Sequence, residues 1–287
     1  VIEPLKGGAA ASGSGAFSLL ERTFIHVPMI GPKREADLWR RGYTDWDRFR
    51  EDHPKGAFRE HVVDWLEPTR ALAKLPRAQA WRLFPGLSAR VLYLDIESTG
   101  LHGDVDEITC IGTYDGARVR AYVPDEDDLR GFADAVDEAD LLVTYNGSCF
   151  DLPFLKASFP GVDFARPRHI DLRWPLRRMG LRGGLKGIEP QMGIFRDASL
   201  DGVDGYLAVL LWRAHRRGHP RALETLVRYC LEDVVNLEPL MVETFNRLAG
   251  ALPIDIPRIA AGPRPEIGVR ADEALVASLL GRRSYEP

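Results

Sequence analysis

Residues 91–101 read Val-Leu-Tyr-Leu-Asp-Ile-Glu-Ser-Thr-Gly-Leu, and no other stretch limits the fold as much. An apolar run this short, closed by the turn residues Ser98, Thr99 and Gly100, predicts a buried strand. Side chains alternate along a strand, so Asp95 and Glu97 share one face while Ile96 turns to the core. Two carboxylates side by side at a buried strand end repel each other and lose hydration. A hard divalent cation between them removes that cost, because Mg²⁺ and Mn²⁺ take oxygen ligands. A strand end with two solvated acids has the same local sequence, and this stretch alone does not choose between them.

The 287 residues suffice for one large domain or two modest ones. A net charge of −4 gives no global sign of nucleic-acid binding, so any basic surface must be local. Cys110, Cys149 and Cys230 lie far apart and form no Cys-x-x-Cys pair, which argues against a disulfide framework or a structural zinc site. The N-terminus has no signal-peptide core, and no apolar run reaches the length of a membrane span. A cytoplasmic protein with no membrane partner is expected. The first residue is Val rather than Met, so the chain reads as trimmed or as a fragment.

Taken in order, residues 1–17 are rich in Gly, Ala and Ser and predict a flexible N-terminus. Residues 18–85 predict a helical region that holds four of the six tryptophans. Within it, Pro32 suits the first position of a helix, and a second helix follows near Thr44 with Trp46 and Phe49 on its buried side. This apolar-turn-glycine-helix pattern resembles a helix-hairpin-helix element, although Pro28-Met29 stands where a first hairpin glycine would be. A plain αα-hairpin fits better. From residue 90 the pattern changes to strands over 90–96, 107–114 and 117–123, the last two joined at Asp115-Gly116. A helix over 125–138 capped by Asp125, a strand over 141–145, a helix from Phe150 and a strand over 168–172 follow. Helical patterns fill 201–217 and 220–248. Residues 251–287 read as a tail, packed or loose, with one amphipathic piece over 271–280. This element order predicts an α/β fold, a ribonuclease H-like mixed sheet flanked by helices, over residues 90–248.

Three further acidic or aromatic positions turn the strand-end acids into a set. Asp151 follows the fourth strand in Asn146-Gly147-Ser148-Cys149-Phe150-Asp151. On the last long helix Tyr229 and Asp233 are four residues apart and share a face. The apolar stripe Leu223, Leu226, Val227, Cys230, Val234, Leu237 and Met241 packs that helix and leaves Tyr229 and Asp233 at its margin. Glu232 is expected to face solvent. Asp171 is read as a helix cap near Trp174, with membership of the acidic cluster as the alternative.

These segments resemble the DEDD superfamily of 3′–5′ exonucleases, tyrosine subclass. Asp95-Ile96-Glu97 matches the first motif. Asn146-x-x-x-Phe150-Asp151 matches the second as found in family B polymerase proofreading domains, and Tyr229-x-x-x-Asp233 matches the third. The histidine subclass would need His where Arg228 stands. Resemblance is closest to stand-alone YprB-type proteins, which also show stretches like His169-Ile170-Asp171-Leu172 and Leu185-Lys186-Gly187-Ile188-Glu189. It implies two divalent metal ions, Mg²⁺ or Mn²⁺, roughly 3.5–4 Å apart. Asp95, Glu97 and Asp233 would hold one ion, and Asp95 with the water shell of Asp151 the other. Tyr229 would orient the attacking water, while Asn146 and Phe150 would shape the pocket for a terminal nucleotide.

Residues 164–218 carry eleven Lys/Arg against five acids, a local excess of +6. Arg177, Arg178, Arg182 and Lys186 lie in this run, and Gly183-Gly184 would let backbone amides approach phosphates. Together with the resemblance, which implies a single-stranded nucleic acid with DNA favoured over RNA, this run makes such a strand the expected partner. The alternatives are an exoribonuclease, and a binding or interaction module whose nuclease fold is inert.

Overall fold

A computed structural model describes residues 19–101, 105–124, 126–200 and 202–283. The expected flexible stretch 1–17 and the expected cap Asp125 lie outside them. Five strands, β1 (Val91–Ser98), β2 (Ile108–Tyr114), β3 (Val119–Tyr122), β4 (Leu141–Thr144) and β5 (Arg168–Asp171), form one sheet in the order β3-β2-β1-β4-β5. Before the sheet come α1 (Pro32–Arg40), α2 (Trp46–Asp52), α3 (Ala57–Val63), α4 (Pro68–Lys74) and α5 (Phe84–Leu87). Between and after the strands lie α6 (Arg130–Glu138), α7 (Asp151–Ser158), α8 (Arg173–Arg178) and α9 (Leu185–Ile188). The chain ends with α10 (Gly205–Arg216), α11 (Ala222–Gly250) and α12 (Glu273–Arg283). Among the described residues no helix is long and apolar enough to cross a membrane.

The sheet is mixed. β1 pairs antiparallel with β2 and parallel with β4, while β4 pairs parallel with β5. The central position of β1 explains its near-continuous apolar run, since both of its faces are covered. Leu92, Leu94 and Ile96 pack with Phe132 and Val136 of α6 and with Leu152 and Leu155 of α7. Val91 and Tyr93, on the opposite face, pack with Val234, Leu237 and Met241 of α11. Asp95 and Glu97 continue the Val91/Tyr93 row and are therefore aimed at α11 rather than at open solvent. A register shift between Glu97 and Ser98 pairs Glu97 with Cys110 but Ser98 with Ile108, a bulge that bends the strand just past the second acid.

The α6 helix begins at Arg130, five residues later than expected, because Asp127 and Asp128 spend their carboxylates on turns. Asp127 accepts from the Val123 amide at 2.8 Å and Asp128 from the Arg130 amide at 3.0 Å. The hairpin between β2 and β3 turns at Gly116, φ +87°, with Asp115 accepting from the Arg118 amide at 2.7 Å.

The N-terminal helices enclose a core of their own, with Phe24, Leu38, Trp39, Trp46, Phe49 and Val62 all buried. At its centre Glu35 and Arg82 form an ion pair at 2.8 Å with 1% and 2% of their side chains exposed. Glu35 also accepts from the Phe24 and Ile25 amides, so both of its oxygens are satisfied. A 3₁₀ turn (Leu20–Arg22), not an α-helix, precedes α1 among the described residues, and Met29 takes a left-handed φ of +69°. Trp81 and Phe84 join the α11 side of the sheet core.

The C-terminal stretch has little regular structure but is fastened along α11. Asn246 clasps the Ile259 backbone, donating at 2.8 Å and accepting at 2.9 Å. Glu238 accepts from the Gly262 amide at 3.2 Å, and Thr225 accepts from the Asp272 amide at 3.0 Å. Residues 259–272 thus run antiparallel to the helix as a strap.

Candidate active site

The sequence motifs meet where β1, the start of α7 and the first half of α11 converge. Asp151, the first residue of α7, is 2% exposed, and its Oδ1 accepts from the Ile96 amide at 3.1 Å. That bond fixes the α7 carboxylate beside the strand residue lying between Asp95 and Glu97. From the other side α11 presents Tyr229 and Asp233, one turn apart and buried at 4% and 6% exposure.

Crowded carboxylates make proton loss costly. Asp95 is held well above the usual carboxylate range by removal from water, then by Asp151, Asp233 and Glu97. Glu97 is raised for the same reason, with Asp233 its strongest charged neighbour. Burial pushes Asp151 up to about 7, with Asp171 and Asp233 adding to the shift against two hydrogen bonds that lower it. Four acids from three elements therefore share one field, the condition a bound dication relieves.

Ligand atoms of Asp95, Glu97 and Cys230 lie within 4.8 Å of one another. Cys230 is a weak member of this set. Its thiol contacts Cys110, and that contact together with burial holds it protonated, whereas a metal takes the thiolate. The donors that remain are hard oxygens, which fit Mg²⁺ or Mn²⁺.

Tyr229 keeps its proton. Burial, then Asp233, Glu97 and Asp95, raises its hydroxyl well above 10. Lys186 lies 4.0 Å from the centre of the Tyr229 ring and donates to the Val203 carbonyl. The basic run predicts Lys186 among the nucleic-acid contacts. The α9 helix turns it toward the carboxylates, where burial lowers its pKa and the charges of Asp233 and Glu97 oppose that.

The remaining predicted contacts divide. Asn146 takes a left-handed φ of +67°, and its side-chain oxygen accepts from Arg173. Phe150 is only partly exposed, with its ring 5.1 Å from that of Phe154. Arg177 and Arg182 line a groove of about 350 Å³ with Tyr145, Asn146, Arg173, Gly183 and Gly184, whereas Arg178 is exposed outside it. Gly183 has φ +124°, which L side chains avoid, so this turn needs glycine. Asp171 is fully engaged, accepting from the Asn146 and Arg173 amides at 2.8 and 3.1 Å through Oδ1 and from Ser148 at 3.1 Å through Oδ2. It supports the loop that carries the second motif.

Sequence reasoning missed an ionic network behind α11. Arg196 donates through Nη1 to Asp233 and grips Glu189 through Nε and Nη2. Glu232 is not solvated as expected but fully buried, with Arg228 at 3.0 Å on one oxygen and Arg264 at 2.5 Å on the other. The spacing signal placed Glu232 off the apolar stripe correctly. It could not show that residues 259–272 cover that side.

No curated protein matches. A solved structure, the family B DNA polymerase from the hyperthermophilic archaeon Pyrobaculum calidifontis, is similar at 21% identity and a TM-score of 0.44, over 52% of this chain. The match takes in 24% of the polymerase chain, well under two thirds of its length. A family model described as the RNase_H superfamily matches residues 92–245, which run from β1 through α11. The chain therefore belongs to the RNase_H superfamily.

Proposed function

We propose that this protein is a metal-dependent 3′–5′ exonuclease of the tyrosine-type DEDD subclass, acting on single-stranded nucleic acid with DNA favoured over RNA. The observation that carries the reading is the convergence of carboxylates from three elements, with Asp151 of α7 bonded to the Ile96 amide between Asp95 and Glu97 of β1, and buried Asp233 of α11 raising both strand acids one turn from Tyr229. Asp95, Glu97 and Asp233 would hold one divalent ion, and Asp95 with Asp151 a second. Bound ions would supply an activated water and a counter-charge for the departing 3′ oxygen. Tyr229, kept protonated, orients that water by hydrogen bonding and is no general base. Lys186 adds a positive charge on the same side, available to the negative transition state. Arg177 and Arg182 have no side-chain partner among the described residues, and the groove they line offers upstream phosphates a path.

The test is incubation of the purified protein with end-labelled single- and double-stranded DNA and RNA, with Mg²⁺, with Mn²⁺ and with chelator. The expected result is metal-dependent stepwise shortening from the 3′ end, absent in Asp95→Ala. Internal cutting, shortening from the 5′ end, or shortening that survives chelation or Asp95→Ala would refute the assignment.

A further inference from the structure

We propose that Arg196 is a positioning residue for Asp233, held in place by a hydrogen-bonded chain that passes through Glu189 and Asn236 to Arg264 on the C-terminal strap. The inference rests on the metal-site reading above. Arg196 occupies Oδ1 of Asp233, while the second oxygen has no hydrogen-bond partner among the described residues. A carboxylate pinned through one oxygen cannot turn to grip a cation with both. It offers one donor in one direction. Arg196 is itself pinned, because its Nε and Nη2 fork onto Glu189, which is 1% exposed. Glu189 also accepts from Asn236 Nδ2 at 2.9 Å, and the oxygen of the same amide accepts from Arg264 Nη1 at 2.6 Å. Arg264 therefore selects the Asn236 orientation whose NH₂ faces Glu189. Asn236 lies three residues beyond Asp233 on α11, so the chain leaves the helix, rounds through Glu189 and Arg196, and returns one turn away.

Groups that orient a metal ligand without touching the metal typically change affinity by roughly 10–100-fold when removed. Calorimetric titration of Mn²⁺ alone into chelator-treated full-length protein reads this directly. The double variant Glu189→Gln with Arg196→Gln removes one charge of each sign, so the local net charge is unchanged. It is expected to bind Mn²⁺ roughly 10–100-fold more weakly than the parent. Arg264 is 44% exposed, and Arg264→Ala leaves Arg228 on Glu232, so this variant tests the far end without emptying a buried site. Its Mn²⁺ affinity is expected to fall roughly 10-fold with the fold retained by circular dichroism, although Glu232 loses one of its two guanidinium partners, and Arg264→Lys to recover part of the loss. Affinities within about twofold of the parent, in Arg264→Ala or in a folded double variant, would overturn the proposal. Failure of the parent itself to bind Mn²⁺ would overturn both this inference and the exonuclease reading. Tight parental binding with unaffected variants would overturn this one alone.

Discussion

Replacing Asp151 by Asn is expected to stabilise the metal-free protein while weakening its response to metal. The carboxyl is raised from an ordinary 3.8 to about 7. Between those values the native protein holds a proton that the unfolded chain has released, so stability falls as pH rises through the window and the full penalty stands above it. At about 1.4 kcal/mol per tenfold change in acidity, the penalty reaches ~4 kcal/mol near neutrality and above. The asparagine oxygen can still accept from the Ile96 amide, so the link between α7 and β1 survives the change. Asp95 and Glu97 share the same field, and part of the relief overlaps with theirs. The expected gain is ~2–4 kcal/mol near pH 8 and close to none near pH 4. Urea unfolding with excess chelator, followed by circular dichroism at several pH values, measures it. Mn²⁺ should then stabilise the parent more than the variant, which keeps the ligands of the first ion and loses a ligand of the second. A variant no more stable than the parent near pH 8, or a parent whose stability is flat across this range, would refute the reasoning.

Other substitutions probe separate parts of the structure. Tyr229→Phe keeps the ring beside Lys186 and removes only the hydroxyl, so kcat on a labelled oligonucleotide should fall about 10²-fold or more with the melting temperature held. Arg82→Met strands Glu35 in the N-terminal core and should cost ~3–5 kcal/mol in denaturant unfolding, with part regained on adding Glu35→Gln. Removing Arg177 and Arg182 together should weaken single-strand binding and flatten the plot of log affinity against log salt by roughly 0.7 per arginine. An unchanged salt slope would place the strand elsewhere.

The residues that meet at the candidate site were legible because their signals are local. Asp95 and Glu97 follow from strand alternation, Asp151 from its place after β4, and Tyr229 with Asp233 from helical spacing. The central strands of the mixed sheet were legible for the same reason, β1, β2 and β4 being short, mostly apolar runs between turn residues. What stayed hidden depends on distant segments. Composition could not tell that the short α9 turns Lys186 toward the Tyr229 ring. Glu232 read as solvated because nothing near it reveals that Arg264 arrives to cover it. Arg196 was one of eleven basic residues in its stretch, and only the folded chain distinguishes it. The start of α6 was misplaced because Asp127 and Asp128 close turns instead of opening the helix.

The strap along α11 also sets an order of assembly during synthesis. Glu232 leaves the ribosome 32 residues ahead of Arg264, its second guanidinium. Until then this acid, adjacent to Asp233, has only Arg228 and the Asp197 amide to compensate its burial. A nascent polypeptide stopped short of residue 264 would own every side chain of the candidate site and still have to seat a half-neutralised helix against the sheet. A segment that carries none of the candidate-site residues thus supplies the last charge that this buried acid receives.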